Sequence, residues 1–509
     1  MSSRAGERGV GAVSQVHYDV AEFERLQARL APMWPSMTLR RQPEPRTLIV
    51  VSSVSFPVPP QVAPLFPAYE ERYLFYVLSL ARDPQARVVY VTSQPVLPRM
   101  IDYYLNLMGE GDPADLRRRI IPVAVGDGTA RPLTAKILER PRLVRRLRAL
   151  ATGTPGHAVL LPFVTTDMEA ALAVGIGVPV YGPDPRLVHL GTKTGSRQAF
   201  RAAGVPLPRG AEGVESVDDV VEALLSLGDL PDWAIVKLDF SVSGLGNAQV
   251  DLRGVTRDRA DLRRRVCALQ PEDSTLDSEA FFAQLAAGGG IVEERVTGED
   301  VQSPSVQLRA SPLGEVEVLS THDQVLGGPT GQSYLGCRFP ATDEYGPTIA
   351  ALGRRVGGYL ASQGVIGRFG IDFVVTRHDG EWRPWALEIN LRNGGTTHPA
   401  LALLGLTDGR YDEGSGHFMS DGVAKHYTAT DHLEHESLRS LTPDDVLDVI
   451  EEAGLEWDRV SKTGIVFHML SAVAVGGQLG LTAIADSADA ADSLYARARC
   501  ALLDAAAAS

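Results

Sequence analysis

The stretch WALEINLRNGGTTHP, residues 385–399, places an acid, an amide and a guanidinium in a run that otherwise has the pattern of a buried strand. Glu388 and Asn390 are two residues apart, and Arg392 and a pair of glycines follow at once. Because strand side chains alternate between the two faces of a sheet, Glu388 and Asn390 point to the same face. Side-chain oxygens gathered on one face can bind a hard cation such as Mg²⁺.

A second carboxylate, Asp372, lies on the preceding strand of the same predicted hairpin. If a two-residue loop closes the hairpin, Asp372 is opposite Leu387 and faces away from Glu388. If the loop has three residues, 379–381, Asp372 is opposite Glu388. We predict the three-residue loop, and with it a magnesium site formed by Asp372, Glu388 and Asn390. The competing interpretation is a polar strand face beside solvent, or carboxylates paired with arginines.

Lysine is scarce in this arginine-rich chain and occurs only at positions 136, 193, 237, 425 and 462. Where arginine is the usual cation, a lysine suggests that a compact ammonium is preferred, although a solvated surface lysine is the commoner explanation for any one position. Lys237 ends the apolar strand WAIVK, and Lys193 precedes a short helix.

A flexible loop follows Lys237, and its small residues are Ser241, Ser243, Gly244 and Gly246. Backbone N–H groups of such a loop can cover phosphates. It is neither a Walker A loop nor a Rossmann turn, since no Gly-Lys-Ser/Thr occurs and a strand pattern follows it. A plain hairpin is the alternative.

The segment IVEERVTGED is an apolar strand that runs into acids and has the pattern of a hinge between domains. Backbone groups of an extended hinge formed by Glu293, Glu294 and Val296 can read an adenine edge, and Glu299 can accept hydrogen bonds from ribose hydroxyls. The alternative is an exposed acidic turn.

Composition limits the classes of function. With 509 residues the chain is long enough for two to four domains. A net charge of −14 argues against a nucleic-acid binder, which would be expected to have a basic face. Cys267, Cys337 and Cys500 are too few and too scattered for a disulfide framework or a zinc site, which fits a reducing cytoplasm. We expect neither a signal peptide nor a membrane span.

Alternation of strand and helix patterns predicts mixed α/β and α+β architecture in four parts. Residues 1–45 form an extension with one helix, and residues 46–190 form a Rossmann-like domain with a parallel sheet. Residues 191–404 carry the motifs described above, and 405–509 form a small α+β domain. The parallel domain has no Gly-x-Gly-x-x-Gly turn after its first strand, so we do not expect it to bind a dinucleotide.

The order of these features resembles the ATP-grasp superfamily of carboxylate–amine ligases over about residues 186–400. The Rossmann-like part stands where that superfamily has its pre-ATP-grasp domain, and ALEINLRNGG is the most specific motif. The segments LPFVTTDMEAALA, VPVYGPDP and THDQVLGGPTGQSYLGCRFPA, together with a small C-terminal domain, resemble the peptide ligases of pheganomycin-type biosynthesis.

The resemblance implies ATP and Mg²⁺ as cofactors and assigns roles to the candidate residues. Phosphate and nucleotide binding would fall to Lys193, Lys237, Ser243, Gly244, Gly246, Glu293, Glu294, Val296 and Glu299. Asp372, Glu388 and Asn390 would bind magnesium. Arg392 would stabilise charge on the transferred phosphoryl group or the acyl phosphate, with Arg368 and Arg338 as weaker candidates. Many members have an arginine two residues before the metal-binding aspartate, but here that position is Gly370, which leaves the role of Arg368 open.

The implied reaction joins an amino-acid-like carboxylate to the amine of a peptide or amino acid through an acyl phosphate, in peptide natural-product biosynthesis. Two alternatives stay open: a ligase acting on a small-metabolite amine, and a nucleotide-binding sensor without turnover. The implied protein is cytoplasmic, binds neither nucleic acid nor membrane, and has a homodimer as its default assembly. The sequence does not identify the acid or the amine.

Overall fold

The computed structural model describes residues 16–38, 44–56, 63–109, 111–153, 157–241, 244–327 and 333–508. Ser243, predicted to lie in the phosphate-covering loop, is outside the described residues. No helix in the described part of the chain is long and apolar enough to cross a membrane.

The N-terminal part contains two helices, α1 (Val20–Gln27) and α2 (Leu30–Thr38). Asp19 caps α1 by accepting a hydrogen bond from the Glu22 N–H at 3.1 Å, which satisfies one of the free amides at the helix start. Phe23 is fully buried against the parallel sheet that follows, so this helix is packed onto the first domain.

A parallel sheet with surrounding helices follows, as the alternating patterns predict. Its strands are β1 (Arg46–Val51), β2 (Ala86–Thr92), β3 (Ile120–Ala124) and β4 (His157–Pro162), in the order β3-β2-β1-β4. Its helices are α3 (Phe66–Glu71), α4 (Ser79–Arg82), α5 (Pro98–Met108), α6 (Pro113–Arg118), α7 (Leu133–Leu138), α8 (Pro141–Thr152) and α9 (Asp167–Ile176). The predicted Rossmann-like architecture is confirmed.

The next part is a small antiparallel sheet with four helices. Its elements are α10 (Lys193–Ala203), β5 (Gly210–Val214), α11 (Val217–Ser226), β6 (Trp233–Leu238), β7 (Asn247–Asp251), α12 (Arg259–Cys267), β8 (Gln270–Pro271), α13 (Ser278–Gly288) and β9 (Gly290–Glu294). The strand order is β5-β9-β6-β7-β8, and β9 runs antiparallel to β6, so Glu294 at the end of β9 lies beside Ala234 near the start of β6.

A larger antiparallel sheet follows. Its first elements are β10 (Val301–Gln302), β11 (Pro304–Ala310), β12 (Val316–Gly327), β13 (Ser333–Phe339), α14 (Gly346–Ser362), β14 (Gly367–His378), β15 (Glu381–Asn390) and α15 (Thr397–Thr407). The two antiparallel sheets face each other across a cleft, and the predicted ATP-grasp architecture is confirmed.

The C-terminal segment contributes strands to the same large sheet. Its elements are β16 (Arg410–Asp412), β17 (His417–Ser420), β18 (Val423–Ala424), β19 (His426–Glu434), α16 (Pro443–Glu452), β20 (Gly464–His468), α17 (Ala472–Gly476), β21 (Gln478–Ala485) and α18 (Ala488–Ala508). The order β13-β19-β21-β20 continues the sheet without a break. Strands β16, β17 and β18 form a separate three-stranded sheet. The expected boundary at 404/405 stays a prediction.

The hairpin of β14 and β15 corrects one step of the sequence analysis. The loop has two residues, Asp379 and Gly380, because both have positive φ (53° and 80°), the conformation of the tight turn that Asp-Gly favours. The predicted three-residue loop is wrong. A β-bulge at Leu387 supplies the extra residue instead, so Asp372 still pairs directly with Glu388.

The alternation of β14 explains how this strand serves both a core and a cleft. Phe369, Ile371 and Phe373 are each at most 1 % exposed and pack beneath α14. The alternate residues, including Asp372, therefore point to the opposite face, toward the small sheet. Burial of each large apolar side chain contributes roughly 2–3 kcal/mol, which fixes the register and hence the direction of the carboxylate.

We expect Phe369→Ala to lower the free energy of unfolding by about 3–5 kcal/mol, because it removes a ring from a packed core and leaves a cavity. Urea denaturation followed by circular dichroism measures this change. The control is Val460→Ala at a side chain that is 93 % exposed, for which the change is expected to stay within about 0.5 kcal/mol. Equal stability of the two variants would contradict the packing described for β14.

Candidate active site

A cavity of about 580 Å³ lies in the cleft between the two antiparallel sheets. Side chains from β6, β7 and the end of β9 form one wall, and side chains from β12, β14 and β15 form the other. The predicted site residues that line it are Lys237, Gly244, Glu293, Glu294, Val296, Asp372, Glu388, Asn390 and Arg392. Nine candidates from distant parts of the sequence thus meet around one cavity.

The carboxylates of Asp372 and Glu388 are held by different partners. Gln324 Nε2 donates to Asp372 Oδ1 at 2.9 Å, and Asn390 Nδ2 donates to Asp372 Oδ2 at 2.8 Å. Lys193 Nζ lies 2.6 Å from Glu388 Oε1. The two acids are therefore not interchangeable, since one is held by amides and the other by a cation.

Burial and the neighbouring Glu388 raise the pKa of the Asp372 carboxyl above its ordinary value. Burial alone would also raise the pKa of Glu388, but the attraction and hydrogen bond of Lys193, together with the charges of Lys237 and Arg392, outweigh it and hold that pKa below its ordinary value. A second negative charge at Asp372 is therefore unfavourable unless a cation joins the site.

The donor set fits magnesium, a cation that the resemblance implies. Asp372, Glu388 and Asn390 offer oxygen atoms, which are the ligands that Mg²⁺ prefers. Asn390 uses its Nδ2 on Asp372, which leaves its carbonyl oxygen as the atom that can bind a cation. A divalent ion would also relieve the repulsion between the two carboxylates.

The two predicted phosphate-binding lysines are buried ion-pair partners. Lys193 is the first residue of α10 and is 4 % exposed, while Lys237 is 6 % exposed, with Nζ 2.6 Å from Glu293 Oε1. The alternative of an exposed surface cation is wrong for both. Lys193 does not line the cavity directly but contacts it through Glu388.

The scarcity of lysine has a structural counterpart at the other three positions. Lys136, Lys425 and Lys462 each donate to a specific oxygen, on Ser93 (2.9 Å), Asp486 (2.5 Å) and Asp421 (2.6 Å) respectively. Every lysine of the chain thus occupies a defined pairing site.

The strand end at residues 293–296 lines the cavity as the hinge hypothesis expects. The side chain of Glu293 is 2 % exposed and is bound by Lys237 and Arg197 (3.0 Å), so it does not point freely into the cavity. The amide of Glu294 donates to the Arg209 carbonyl at 2.8 Å, and the Arg295 amide donates to the Trp233 carbonyl at 2.9 Å.

Two predicted residues lie away from the cavity. Glu299 is exposed and accepts from the Asp379 amide at 3.4 Å, because the chain turns at Gly298 to follow the β14–β15 hairpin. Arg338 points to the outer side, where its Nε lies 3.0 Å from Asp492 on α18. The C-terminal helix thus binds Arg338, and the structure corrects both assignments.

Arg392 and Arg368 meet at a smaller neighbouring cavity. Arg392 lines both cavities, and its guanidinium rests over the rings of Phe56 (5.4 Å) and Phe163 (6.0 Å). Arg368 lines only the smaller cavity. Gly246 packs its backbone against Ser241, where an added Cβ would lie 2.2 Å from Ser241 Cβ, so it shapes the loop without lining the cavity.

Sequence reasoning missed two groups that organise the site. Gln324 reaches Asp372 from β12, and Arg197, 1 % exposed on α10, binds both Glu212 and Glu293. The arginine in RQAFRAA has the spacing of an ordinary helix cation. Nothing in its local pattern shows that it would be buried between two acids.

A buried charged cluster links the segment after Arg392 to the C-terminal strands. Asp431 on β19 is 2.5 Å from Arg72, and its Oδ1 lies 2.7 Å from His468 Nε2 and 3.1 Å from His398 Nε2. His398 is the second residue of α15, the helix that follows the double glycine. Burial opposes ionisation of Asp431, but His398 and Arg72 hold its pKa well below the ordinary value.

The geometry of this cluster follows from its own hydrogen bonds. The Nε2 atoms of His398 and His468 are 2.7 Å apart. A ring nitrogen of each histidine and a carboxylate oxygen of Asp431 all lie within 4.8 Å of one another. Each of these atoms already contacts another member of the cluster. The cluster therefore joins His398 at the start of α15 to Asp431 and His468 on the C-terminal strands.

Comparison with known proteins shows the family to which the chain belongs. The chain is 35% identical over 443 residues to an L-propargylglycine–L-glutamate ligase of Streptantibioticus cattleyicolor, covering 85% of this chain and 89% of that protein. The chain belongs to the ATP-grasp ligases. It is an ATP-dependent carboxylate–amine ligase, and the predicted likeness to the peptide ligases of pheganomycin-type biosynthesis is confirmed.

Other similarities agree with this family. A family described as PGM1 C-terminal domain matches residues 445–498, and one described as IQCH-like ATP-grasp matches residues 261–413. An IQ motif-containing protein H of Danio rerio is 25% identical over 423 residues, covering 72% of this chain and 39% of that protein.

Solved structures share the fold of this ATP-grasp ligase. The biotin carboxylase domain of 2-oxoglutarate carboxylase from Hydrogenobacter thermophilus has a TM-score of 0.51 at 14% identity, covering 90% of both chains. An N5-carboxyaminoimidazole ribonucleotide synthetase has a TM-score of 0.50 at 13% identity, covering 91% of this chain and 97% of that one.

We expect Glu71→Gln to change the pH dependence of stability. Burial raises the pKa of Glu71 to about 7, whereas an unfolded glutamate titrates near about 4.3. A raised pKa contributes stability that is fully present below the unfolded pKa and is lost as pH rises through about 7. The variant has no such loss, and its amide oxygen can still accept from the Ser471 amide, which lies 3.2 Å from Glu71 Oε2.

The stability of Glu71→Gln relative to the wild type should therefore rise by up to about 3 kcal/mol between pH 4.5 and pH 8. Urea denaturation at several pH values measures it, with Glu452→Gln at an exposed helix position as the matched control. Parallel stability curves for Glu71→Gln and the wild type would contradict the assignment.

Proposed function

We propose that this ligase joins the carboxylate of an amino-acid-like donor to the amine of an amino acid or peptide and releases ADP and phosphate. The observation that carries the proposal is the cavity, which Lys237, Arg392 and the paired carboxylates line together. Of the two carboxylates, only Glu388 has a lysine partner, Lys193. Such a site suits a triphosphate and an acyl phosphate. The relative from Streptantibioticus cattleyicolor is named for joining two amino acids, which supports the same substrate class here.

We propose that the adenine of ATP lies against residues 294–296. The amides of Glu294 and Arg295 are already bound within the small sheet, so the Val296 amide and the neighbouring carbonyls are the groups available to read the base. The phosphates then extend toward Lys237 and the Gly244 turn, both of which line the cavity. Glu299 is not part of this proposal, since it lies at the hairpin.

Asp372, Glu388 and Asn390 would hold Mg²⁺. When bound, the ion neutralises phosphate charge and orients the triphosphate. Lys193 sets the charge and orientation of Glu388, and Gln324 sets the orientation of Asp372. These two side chains keep the oxygens in place before any cation arrives.

The chain needs no nucleophilic side chain for this reaction. The donor carboxylate attacks the γ-phosphate, the acyl phosphate forms, and the amine displaces phosphate to leave an amide. Lys237 and Arg392 stabilise the charge that develops on the phosphoryl oxygens, because a preorganised cation in a partly dry site acts strongly. The loop around Gly244 covers the phosphates and limits attack by water.

We further propose a role in peptide natural-product biosynthesis, a cytoplasmic location where ATP is available, and a homodimer as the default assembly. The division at residues 45/46 and 190/191 also stays a proposal. A small-metabolite amine as acceptor is the alternative within the same chemistry. A sensor without turnover is disfavoured, since the cavity has the complete set of carboxylates and cations.

We expect phosphate release only when ATP, Mg²⁺, a donor acid and an acceptor amine are all present. The test incubates the full chain with ATP, Mg²⁺ and pools of amino acids and dipeptides, with L-glutamate and L-propargylglycine among them, and identifies products by mass. A product whose mass equals that of the acid plus the amine less one water supports the proposal. ATP binding without ADP formation in any pool would overturn it.

We expect Lys237→Met to lower kcat/KM by roughly a hundredfold, because one preorganised charged donor contributes about 3 kcal/mol to the barrier. Steady-state kinetics and circular dichroism measure activity and folding together. Lys462→Met is the matched control, since Lys462 pairs with Asp421 and lies outside the lining of the cavity. Full activity in Lys237→Met would reject the phosphate-binding role.

A further inference from the structure

The small cavity beside Arg392 lies where the first domain meets the large sheet. Its walls come from the loops after β4, from the segment 181–183, from Arg368 on β14 and from residues 391–393 after β15. Its volume is about 20 Å³, which leaves room for a group about as large as one water molecule or a carboxylate end. Arg392 separates it from the main cavity by lining both.

Three polar atoms of this lining are buried and have no hydrogen-bond partner among the described residues: Thr165 Oγ1, Tyr181 Oη and Asn393 Oδ1. Thr165 is 8 % exposed and Asn393 is 7 % exposed. Buried polar atoms nearly always have a partner, and leaving one unsatisfied is unfavourable. Three such atoms around one small cavity indicate an occupant with polar atoms, which is either a water molecule or a polar group of a ligand.

The charge of the lining gives the sign of that ligand. Arg368 and Arg392 both border the cavity. Glu388 and Asp372 of the main cavity attract Arg392, whereas no ion pair of Arg368 with a carboxylate occurs among the described residues. Glu317 forms an ion pair with Arg309 and only attracts Arg368 from nearby, while Arg309 repels it. Two guanidinium groups and two hydroxyls are donors, which suits an anion, while the Asn393 oxygen suits an N–H of the same molecule.

We propose that this cavity is a subsite for a carboxylate that does not react, carried by one of the two amino-acid substrates, with Arg368 as its principal partner. The proposal rests on the proposed function and adds a substrate class to it. The reacting carboxylate must meet the phosphates in the main cavity. A carboxylate held on the other side of Arg392 is therefore a second one, either the α-carboxylate of the acceptor or the second carboxylate of a dicarboxylic donor.

The backbone shape of the subsite is consistent with a small occupant. A Cβ added at Gly182 would lie 2.3 Å from Thr165 Oγ1 and would force that hydroxyl to move. Gly182→Ala therefore alters the subsite by volume, while both guanidinium groups stay in place. It provides a second variant that is independent of charge.

The experiment compares the wild type with Arg368→Met, Arg368→Lys and Gly182→Ala as full chains. Calorimetry with a non-hydrolysable ATP analogue and Mg²⁺ measures the Kd of each of the twenty amino acids and of its carboxamide analogues. Steady-state kinetics gives KM and kcat for every pair that is turned over. Arg354→Met is the matched control, because Arg354 pairs with Glu413 (2.6 Å) and lies outside the lining of both cavities.

We expect Arg368→Met and Gly182→Ala to raise the Kd and KM of one substrate at least tenfold while kcat changes less than threefold. Arg368→Lys should recover part of the affinity, and Arg354→Met should match the wild type. Replacing the bound carboxylate of the substrate with a carboxamide should raise the Kd of the wild type by about the same factor as Arg368→Met does. In Arg368→Met the same replacement should not raise the Kd further. The carboxamide that has this effect identifies the acceptor or the donor as the source.

The subsite would be overturned, and the ligase function left intact, if the enzyme turns over and its KM stays unchanged in Arg368→Met and Gly182→Ala and with every carboxamide. Binding that depends on Arg368 without any turnover would instead support the subsite and overturn the proposed function. If no amino acid binds, both proposals are overturned.

Discussion

Two carboxylates that repel each other face one another across the β14–β15 hairpin, and neighbouring polar side chains hold both of them in place. Asp372 and Glu388 are directly paired in the sheet, with burial acting against both charges. Lys193 compensates Glu388, while Gln324 and Asn390 donate to Asp372. The arrangement has the charge of a site that is complete only with a cation, and such a site supports phosphoryl transfer through positioning and charge neutralisation.

The remaining charges form a second layer around this pair. Lys237 and Arg197 share Glu293, and Arg197 also binds Glu212, so the small sheet brings its lysine to the cleft as part of a buried network. Removing one member of such a network leaves an uncompensated buried charge. The network therefore fixes the position of the Lys237 ammonium before nucleotide binds, as electrostatic preorganisation requires.

The C-terminal segment is joined to the same machinery. Its strands continue the large sheet, and Asp431 and His468 on two of these strands bind His398 behind the loop that carries Arg392. Arg72 from the first domain completes the cluster. One buried cluster thus joins the first domain, the start of α15 and the C-terminal strands.

Local patterns in the sequence were enough to predict the fold class and nine residues that line the cavity. Strand and helix periodicities predicted the parallel sheet, and Glu-x-Asn with a preceding aspartate predicted the carboxylate face, because alternation is a local property of a strand. The tertiary structure decided what depends on distant partners. The bulge at Leu387, not the loop length, pairs Asp372 with Glu388. Contacts with Asp492 and Asp379 carry Arg338 and Glu299 away from the cleft, while Glu388 and Glu293 bury the two lysines. Burial and ion pairing arise between residues far apart in the chain, and no local pattern encodes them.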